Sequence, residues 1–247
     1  MSEARALWLA AVFFTRLPLP SLDGLLSEDE RRATAYWPLL GACIGAVIAG
    51  IWWLAARVWP QGVAVGLALA AGLLLTGALH EDGFADVCDG LGGGRTRERA
   101  LEIMRDSRVG AFGAIGIVML LTLKWQAMAA LPAAALPGTL IVAHALSRAI
   151  LVPMTLALPY ARTDARVAQR MAARLGARLA GTAVLALATL LLLPPVAGAA
   201  CLAAAGAVWL GCFLWFRRRL GGYTGDCLGA TQQLCEAAVL LASLAAV

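Results

Sequence analysis

Seven stretches of this sequence are almost free of charge, and each is close to the length that crosses a hydrocarbon core. They are Trp37–Ala56, Gln61–Leu79, Ala111–Leu131, Gly138–Leu158, Leu179–Leu193, Val196–Phe216 and Leu228–Val247. About 20 mostly apolar residues span such a core as an α-helix, and a segment in lipid must satisfy its own amides, which a helix does. The expected fold is therefore all-α: a polytopic integral membrane helix bundle of about seven transmembrane helices. Composition agrees, because 61% of residues are hydrophobic and 14% charged, where soluble domains run near half and a quarter. Pro194-Pro195 marks the turn between the fifth and sixth runs. No polar linker divides the chain, so residues 1–247 read as one membrane-embedded domain. Ala4–Phe14 is too short to cross and carries Trp8 and two phenylalanines, the pattern of an interfacial or re-entrant segment. Thr15-Arg16-Leu17-Pro18 follows it where a signal peptide would have a small-residue cleavage site. The six cysteines form no CxxC pair and read as reduced small hydrophobes.

Basic residues set the orientation. Arg5, Arg16, Arg31 and Arg32 precede the first run, and Arg95, Arg97, Arg99, Arg105 and Arg108 lie between the second and third. Arg162, Arg166, Arg170, Arg174 and Arg178 separate the fourth and fifth, and Arg217, Arg218 and Arg219 follow the sixth. The opposite side has only Arg57. Basic loops stay cytoplasmic, so the N-terminus is expected inside and, with seven spans, the C-terminus outside. The net charge of +5 is accounted for by this asymmetry and by anionic lipid or a phosphate substrate. It does not call for nucleic acid.

The acidic residues gather at the same end, and one cluster adjoins a span: His80-Glu81-Asp82-Gly83-Phe84-Ala85-Asp86-Val87-Cys88-Asp89-Gly90. If the second helix continues through it, Asp82, Asp86 and Asp89 stand at i, i+4 and i+7, within roughly 60° of arc. Three stacked carboxylates repel unless a cation sits between them, and hard oxygen ligands select Mg²⁺, Mn²⁺ or Ca²⁺ over zinc. The plainer alternative is a solvated helix end. Against it, ionisable groups continuous with a span are functional by default.

Gly90, Gly92, Gly93 and Gly94 are expected to stop that helix and to let backbone approach a ligand, and glycines followed by arginines can cradle an anion. A short helix, roughly Arg97 to Arg105, should follow with Thr96 as its cap. Ser107 is placed to cap the third span, whose N-terminus would offer amides to phosphate. Arg105 and Arg108 suit phosphate contact and positive-inside anchoring equally well. A second cluster, Gly221-Gly222-Tyr223-Thr224-Gly225-Asp226, enters the last span on the same membrane face, which allows one joint site. Glu236 lies within that span and needs a partner or a cavity. His144, Arg148 and Lys124 lie within other spans, and their roles are left open.

The segment Thr76–Gly90 closely resembles the signature of the cobalamin synthase (adenosylcobinamide-GDP ribazoletransferase) family. Phe14-Thr15-Arg16-Leu17-Pro18, Arg99–Gly113 and Gly221–Ala230 resemble three further segments of that family, in family order, so the likeness spans nearly the whole chain. It implies a transferase of cobalamin biosynthesis in the cell inner (cytoplasmic) membrane, with its active site facing the cytoplasm. The implied reaction joins α-ribazole, or its 5′-phosphate, to adenosylcobinamide-GDP and releases GMP. Magnesium is the implied cofactor, because such a transfer needs charge neutralisation more than covalent help. The candidate catalytic residues are Asp82, Asp86, Asp89 and His80, with the general base open among them and His80 on the far side of an ideal helix. Asp82, Asp86, Asp89 and Asp226 are the metal candidates; Gly92, Gly93, Arg105, Ser107, Arg108 and Thr224 are the substrate candidates. Partners beyond the two substrates are the lipid bilayer and, left open, a second copy of the chain or other corrinoid-pathway enzymes. Asp86-x-x-Asp89-Gly90 also echoes the opening of the CDP-alcohol phosphotransferase motif, whose remainder is absent here. A transporter is the non-enzyme alternative, disfavoured because the acids cluster at one face and no paired repeat halves are evident.

Overall fold

The computed structural model describes residues 3–20, 32–162 and 176–247. Arg31, Arg166, Arg170 and Arg174, used above for orientation, lie outside these residues. Among the described residues every regular element is a helix, apart from one isolated bridge between Tyr160 and Tyr223. In chain order the helices are α1 (Glu3–Phe14), α2 (Trp37–Ala55), α3 (Gln61–Thr76), α4 (Leu79–Gly93), α5 (Arg97–Ile103) and α6 (Ala111–Ala130). They continue with α7 (Leu136–Ala149), α8 (Leu151–Ala157), α9 (Gly176–Thr189), α10 (Pro195–Leu220) and α11 (Gly225–Ala245).

The chain is a multi-pass membrane helix bundle. Five described segments are long and apolar enough to cross a membrane: Thr34–Ala55, α6, Leu136–Ala157, α10 and α11. A sixth is reached if α3 and α4 count as one broken span. Among the described residues the count of seven is not reached by length, where α3 has 16 residues and α9 has 14. Burial sorts the spans into layers. In the apolar 18-residue stretch of the Leu136–Ala157 span and in that of α11, 67% of residues are buried, against 28% in α6 and 22% in α10. The last helix of the chain is thus a central one, in contact with α4, α6, α7 and α10. The apolar residues left exposed on α6 and α10, such as Ile115, Met119, Leu210 and Leu214, are the surface that lipid covers.

Without a hydrophobic drive between helices in lipid, close packing of small residues takes over. Gly41 and Gly45 of α2 are four residues apart and face α7. A Cβ at Gly41 would overlap the His144 carbonyl, and one at Gly45 would come within 2.6 Å of the Leu140 carbonyl oxygen. This small-residue spacing is present in the sequence and went unread there. At the sparsely charged end, Gln61 Nε2 donates to the Ala129 and Leu131 carbonyls at 2.9 and 2.8 Å, tying α3 to the end of α6.

One expectation is overturned. The second helix does not run on into the acidic segment; it breaks, and α4 leaves α3 at 89°. Gly77 (φ 65°) and Ala78 (φ 53°) are both left-handed. Gly77 adopts that conformation freely, whereas Ala78 adopts it at a steric cost. The Gly77 N–H closes α3 on the Leu73 carbonyl, and the Asp82 N–H opens α4 on the Ala78 carbonyl at 2.9 Å. α4 is therefore a separate helix outside the five spans.

The packing predicts that Gly41→Val prevents assembly, whereas Gly50→Val, where a Cβ meets nothing within 4 Å, is tolerated. The yield of monodisperse protein in mild detergent checks this: a sharp loss for the first variant and near-normal recovery for the second.

Candidate active site

The arginine-rich end of the bundle is held together by hydrogen bonds from the arginines themselves. Arg97 donates to the Leu220 and Ala161 carbonyls, both at 2.7 Å, and Arg219 donates to the Gly94 carbonyl at 2.8 Å. Cations on the exposed carbonyls of helix ends are favourable, so residues read only as a topology signal also pin α5, α10 and the 158–162 segment together. Thr96 caps α5 as expected, accepting from the Arg99 N–H at 3.2 Å.

α4 lies across this assembly with its acidic face toward the N-terminal end of α11. A Cβ on Gly83 would sit 3.0 Å from the Asp226 Cα, so the absence of a side chain there lets the two helices touch. This contact brings Asp226 beside Asp82 and Asp86. Burial first, then the Asp226 and Asp82 carboxylates, pushes the Asp86 carboxyl up to about 6, opposed by Arg162. Arg162 Nη2 lies 2.7 Å from Asp226 Oδ2 and 3.3 Å from the Met104 carbonyl oxygen. Thr224 is fully buried; it caps α11 by accepting from the Cys227 N–H and donates to Asp226 Oδ2 at 3.2 Å. Arg162 is the main site residue that sequence reasoning missed, since it looked like one basic loop residue among many.

Asp89 is drawn elsewhere. Its Oδ2 accepts from the Gly110 N–H at 2.7 Å and its Oδ1 from the Gly113 N–H at 2.8 Å. It thus caps α6 from another helix, where Ser107 was expected to do so. Gly110, the residue at the cap position, has no side chain to offer. Two of the amides expected to face phosphate are occupied by this carboxylate. The glycine run also behaves differently from expectation. α4 continues through Gly93, and Gly90 and Gly92 admit Met104 and Phe112 side chains at distances a Cβ would block. They serve packing more than helix termination.

A groove of about 630 Å³ opens beside Asp89, lined also by Gly93, Arg99, Asp106, Arg108 and Phe112. Two exposed ion pairs rim it. Arg108 Nη2 lies 2.6 Å from Asp106 Oδ2, and Arg99 Nη1 lies 2.6 Å from Glu102 Oε2. The Arg108 hydrogen bonds hold the Asp106 carboxyl down at about 2. Arg105 and Ser107 are exposed nearby. An anion entering the groove would compete with the two carboxylates for these guanidinium groups.

His80 faces away from this cluster. It is buried and stacks on Phe14 with ring centroids 5.5 Å apart. It lines an enclosed cavity with four residues whose roles the sequence left open. There Glu236 Oε2 is 2.7 Å from Lys124 Nζ, and its Oε1 is 2.7 Å from His144 Nδ1 and 3.2 Å from Arg148 Nη1. Gln232 also donates to Glu236 Oε1. Gln232 and Gln233, four and three residues before Glu236 in an apolar span, carried the signal that was passed over: polar groups there need internal partners.

The donor set at the α4–α11 contact fits a hard divalent cation in chemistry, being carboxylate oxygens with one acid already destabilised by its neighbours. In the arrangement described, no three His, Cys, Asp or Glu side chains among the described residues are gathered closely enough to hold an ion. Side-chain rotation would be needed to converge them.

The sequence model of a family described as cobalamin-5-phosphate synthase matches residues 6–244. The adenosylcobinamide-GDP ribazoletransferase of Leptothrix cholodnii is 47% identical, over 99% of this chain and 97% of that protein. That of Ralstonia nicotianae is 48% identical over 98% and 95%, and that of Shewanella frigidimarina 37% identical over 99% and 96%. No solved structure matches.

The two acids at the ends of the α4 face should separate by stability. Asp89→Asn turns an N–H toward one α6 amide and should cost about 2 kcal/mol, as loss of a hydrogen bond to a charged group does. Asp82→Asn, at an exposed position, should cost almost nothing. Thermal unfolding in detergent reads both, and equal midpoints would remove the capping role of Asp89.

Proposed function

The chain belongs to the cobalamin-5-phosphate synthase family, and we propose that it transfers α-ribazole, or its 5′-phosphate, onto adenosylcobinamide-GDP from the cytoplasmic side of the inner membrane. The observation that carries the placement of the chemistry is the Asp82–Asp86–Asp226 cluster. It sits at the basic end of the bundle, with Asp82 and Asp86 on the same helix as Asp89, which lines a groove large enough for a nucleotide's phosphates and flanked by arginines.

In this reading the ribose hydroxyl of the ribazole attacks the phosphorus bound to cobinamide. A P–O bond forms, the bond to GMP breaks, and GMP leaves with the negative charge. Asp82, Asp86 and Asp226 would hold Mg²⁺, which when bound neutralises charge on the diphosphate and on the departing phosphate. The hydroxyl proton passes to a carboxylate of the cluster. His80 is buried away from the cluster and Asp89 is engaged with α6, so neither is assigned that step. Arg162 neutralises Asp226 before substrate arrives. Arg99 and Arg108 orient the GDP portion by exchanging Glu102 and Asp106 for phosphate oxygens, as charge-assisted pairs allow. Gly93 lets that portion approach α4.

The test is GMP release by purified protein. Release should require both substrates and Mg²⁺ and should stop on chelation. Asp86→Asn should lower turnover by about a hundredfold or more, because charge stabilisation by a metal is worth several kcal/mol of barrier. Asp226→Asn should behave similarly, and Glu98→Gln, at an exposed position on α5, should change little. Chelator-insensitive release would remove the metal from this reading.

The raised Asp86 value gives a pH test with a definite sign. Below about pH 6 Asp86 holds a proton that competes with the cation. The half-saturating Mg²⁺ concentration should therefore climb by up to about tenfold per unit as pH falls through that value, and flatten above it. A flat profile from pH 5 to 8 would place the titrating group elsewhere.

A further inference from the structure

The charges buried around Glu236 do not balance without a residue from the acidic helix. Lys124 and Arg148, 5% and 1% exposed, bring two positive charges to this point, and Glu236 brings one negative charge. His144 and His80 add no negative charge. The remaining carboxylate among the described residues lining the same enclosed space is Glu81, itself 9% exposed. Gln233 joins it to the set. Its Oε1 accepts from Lys124 Nζ at 2.9 Å, and its Nε2 donates to Glu81 Oε1 at 2.7 Å. Glu81 Oε2 and Arg148 Nε are buried without a hydrogen-bond partner among the described residues. The adjoining cavity, of about 30 Å³, has room for a water to satisfy such groups.

We propose that Glu81 is the second counter-charge of this intramembrane ion network and, through it, a positioning residue for Asp82 and Asp86. The left-handed break at Gly77-Ala78 disconnects α4 from α3, so backbone continuity does not fix the depth or rotation of α4. The Glu81–Gln233 bond fixes them from the α11 side, together with the contact of Gly229 on the His80 backbone, as the Asp89 bonds do from the α6 side. His80-Glu81-Asp82-Gly83 is then divided by function. Its first two residues turn inward and lock the helix to α11, and Asp82 turns outward to the reacting groups. Removing the Glu81 charge leaves an uncompensated cation in the bundle, which is far costlier than losing a balanced pair.

The claim is tested with a double-mutant cycle in the full chain, purified in detergent, comparing the unchanged protein, Glu81→Gln, Lys124→Gln and Glu81→Gln/Lys124→Gln. Glu81→Gln alone should lower the thermal midpoint by about 5 °C or more and turnover by about tenfold or more. Lys124→Gln keeps an N–H donor and removes the surplus charge. The double variant should regain the midpoint to within about 2 °C and turnover to within about threefold of the unchanged protein. The activity arm rests on the transferase reading and the unfolding arm does not, so failure of one is distinguishable from failure of the other. Three results would overturn the proposal. A double variant no more stable than the single would show that the charges are not coupled. A stable but inactive double variant would make Glu81 a reacting group. A Glu81→Gln protein indistinguishable from the unchanged one would show that no counter-charge is needed there.

Discussion

Glu236 is held by residues of three helices inside the bundle, 2% exposed, and the arrangement of the bundle follows from that. Taking a carboxylate out of water costs several kcal/mol even after the protein relaxes, and only well-placed cations and hydrogen bonds return it. Lys124 comes from α6, His144 and Arg148 come from α7, and Gln232 comes from the same helix as Glu236. Apolar packing in lipid discriminates weakly between one helix register and the next, since slipped contacts remain greasy. A buried carboxylate discriminates strongly, because a slip of one turn would strand it. The Gly41 and Gly45 contacts then set how near α2 can come to α7, and the ionic centre sets where along their length the inner helices meet.

The spans were legible because lipid leaves an uncovered backbone no alternative to a helix, so hydropathy and fold class are nearly the same information here. The family likeness was legible for a different reason: four separated segments had to agree in order. What escaped the sequence has physical causes in each case. A left-handed Ala78 has no compositional signature, so the turn into α4 was read as straight helix. Gly90 and Gly92 could break a helix or admit a neighbour's side chain, and only the positions of Met104 and Phe112 decide between the two. Asp89 caps α6 across more than 20 positions, beyond any local capping rule. Arg162 was hidden among arginines that topology already explained.

The acidic helix shows how one short segment can serve two environments. Successive residues of a helix point about 100° apart, so Glu81 and Asp82 cannot share surroundings. One faces glutamines and cations inside the bundle, and the other faces solvent. A segment built this way tolerates little change, because each side chain answers to a different neighbour. The arginines of the same end are similarly double in purpose. They carry the sequence's topology signal, and in the folded chain they close the carbonyl ends of α4 and α10.

Arg162 also bears on the order in which such a protein can be made. Several carboxylates brought to one place repel, and a site that relied on its ion to hold it together could not form until that ion arrived. A guanidinium 2.7 Å from Asp226, itself tethered to the Met104 carbonyl, removes part of that repulsion from within the chain. The bundle can therefore close before any ligand binds, so that its assembly does not wait on one.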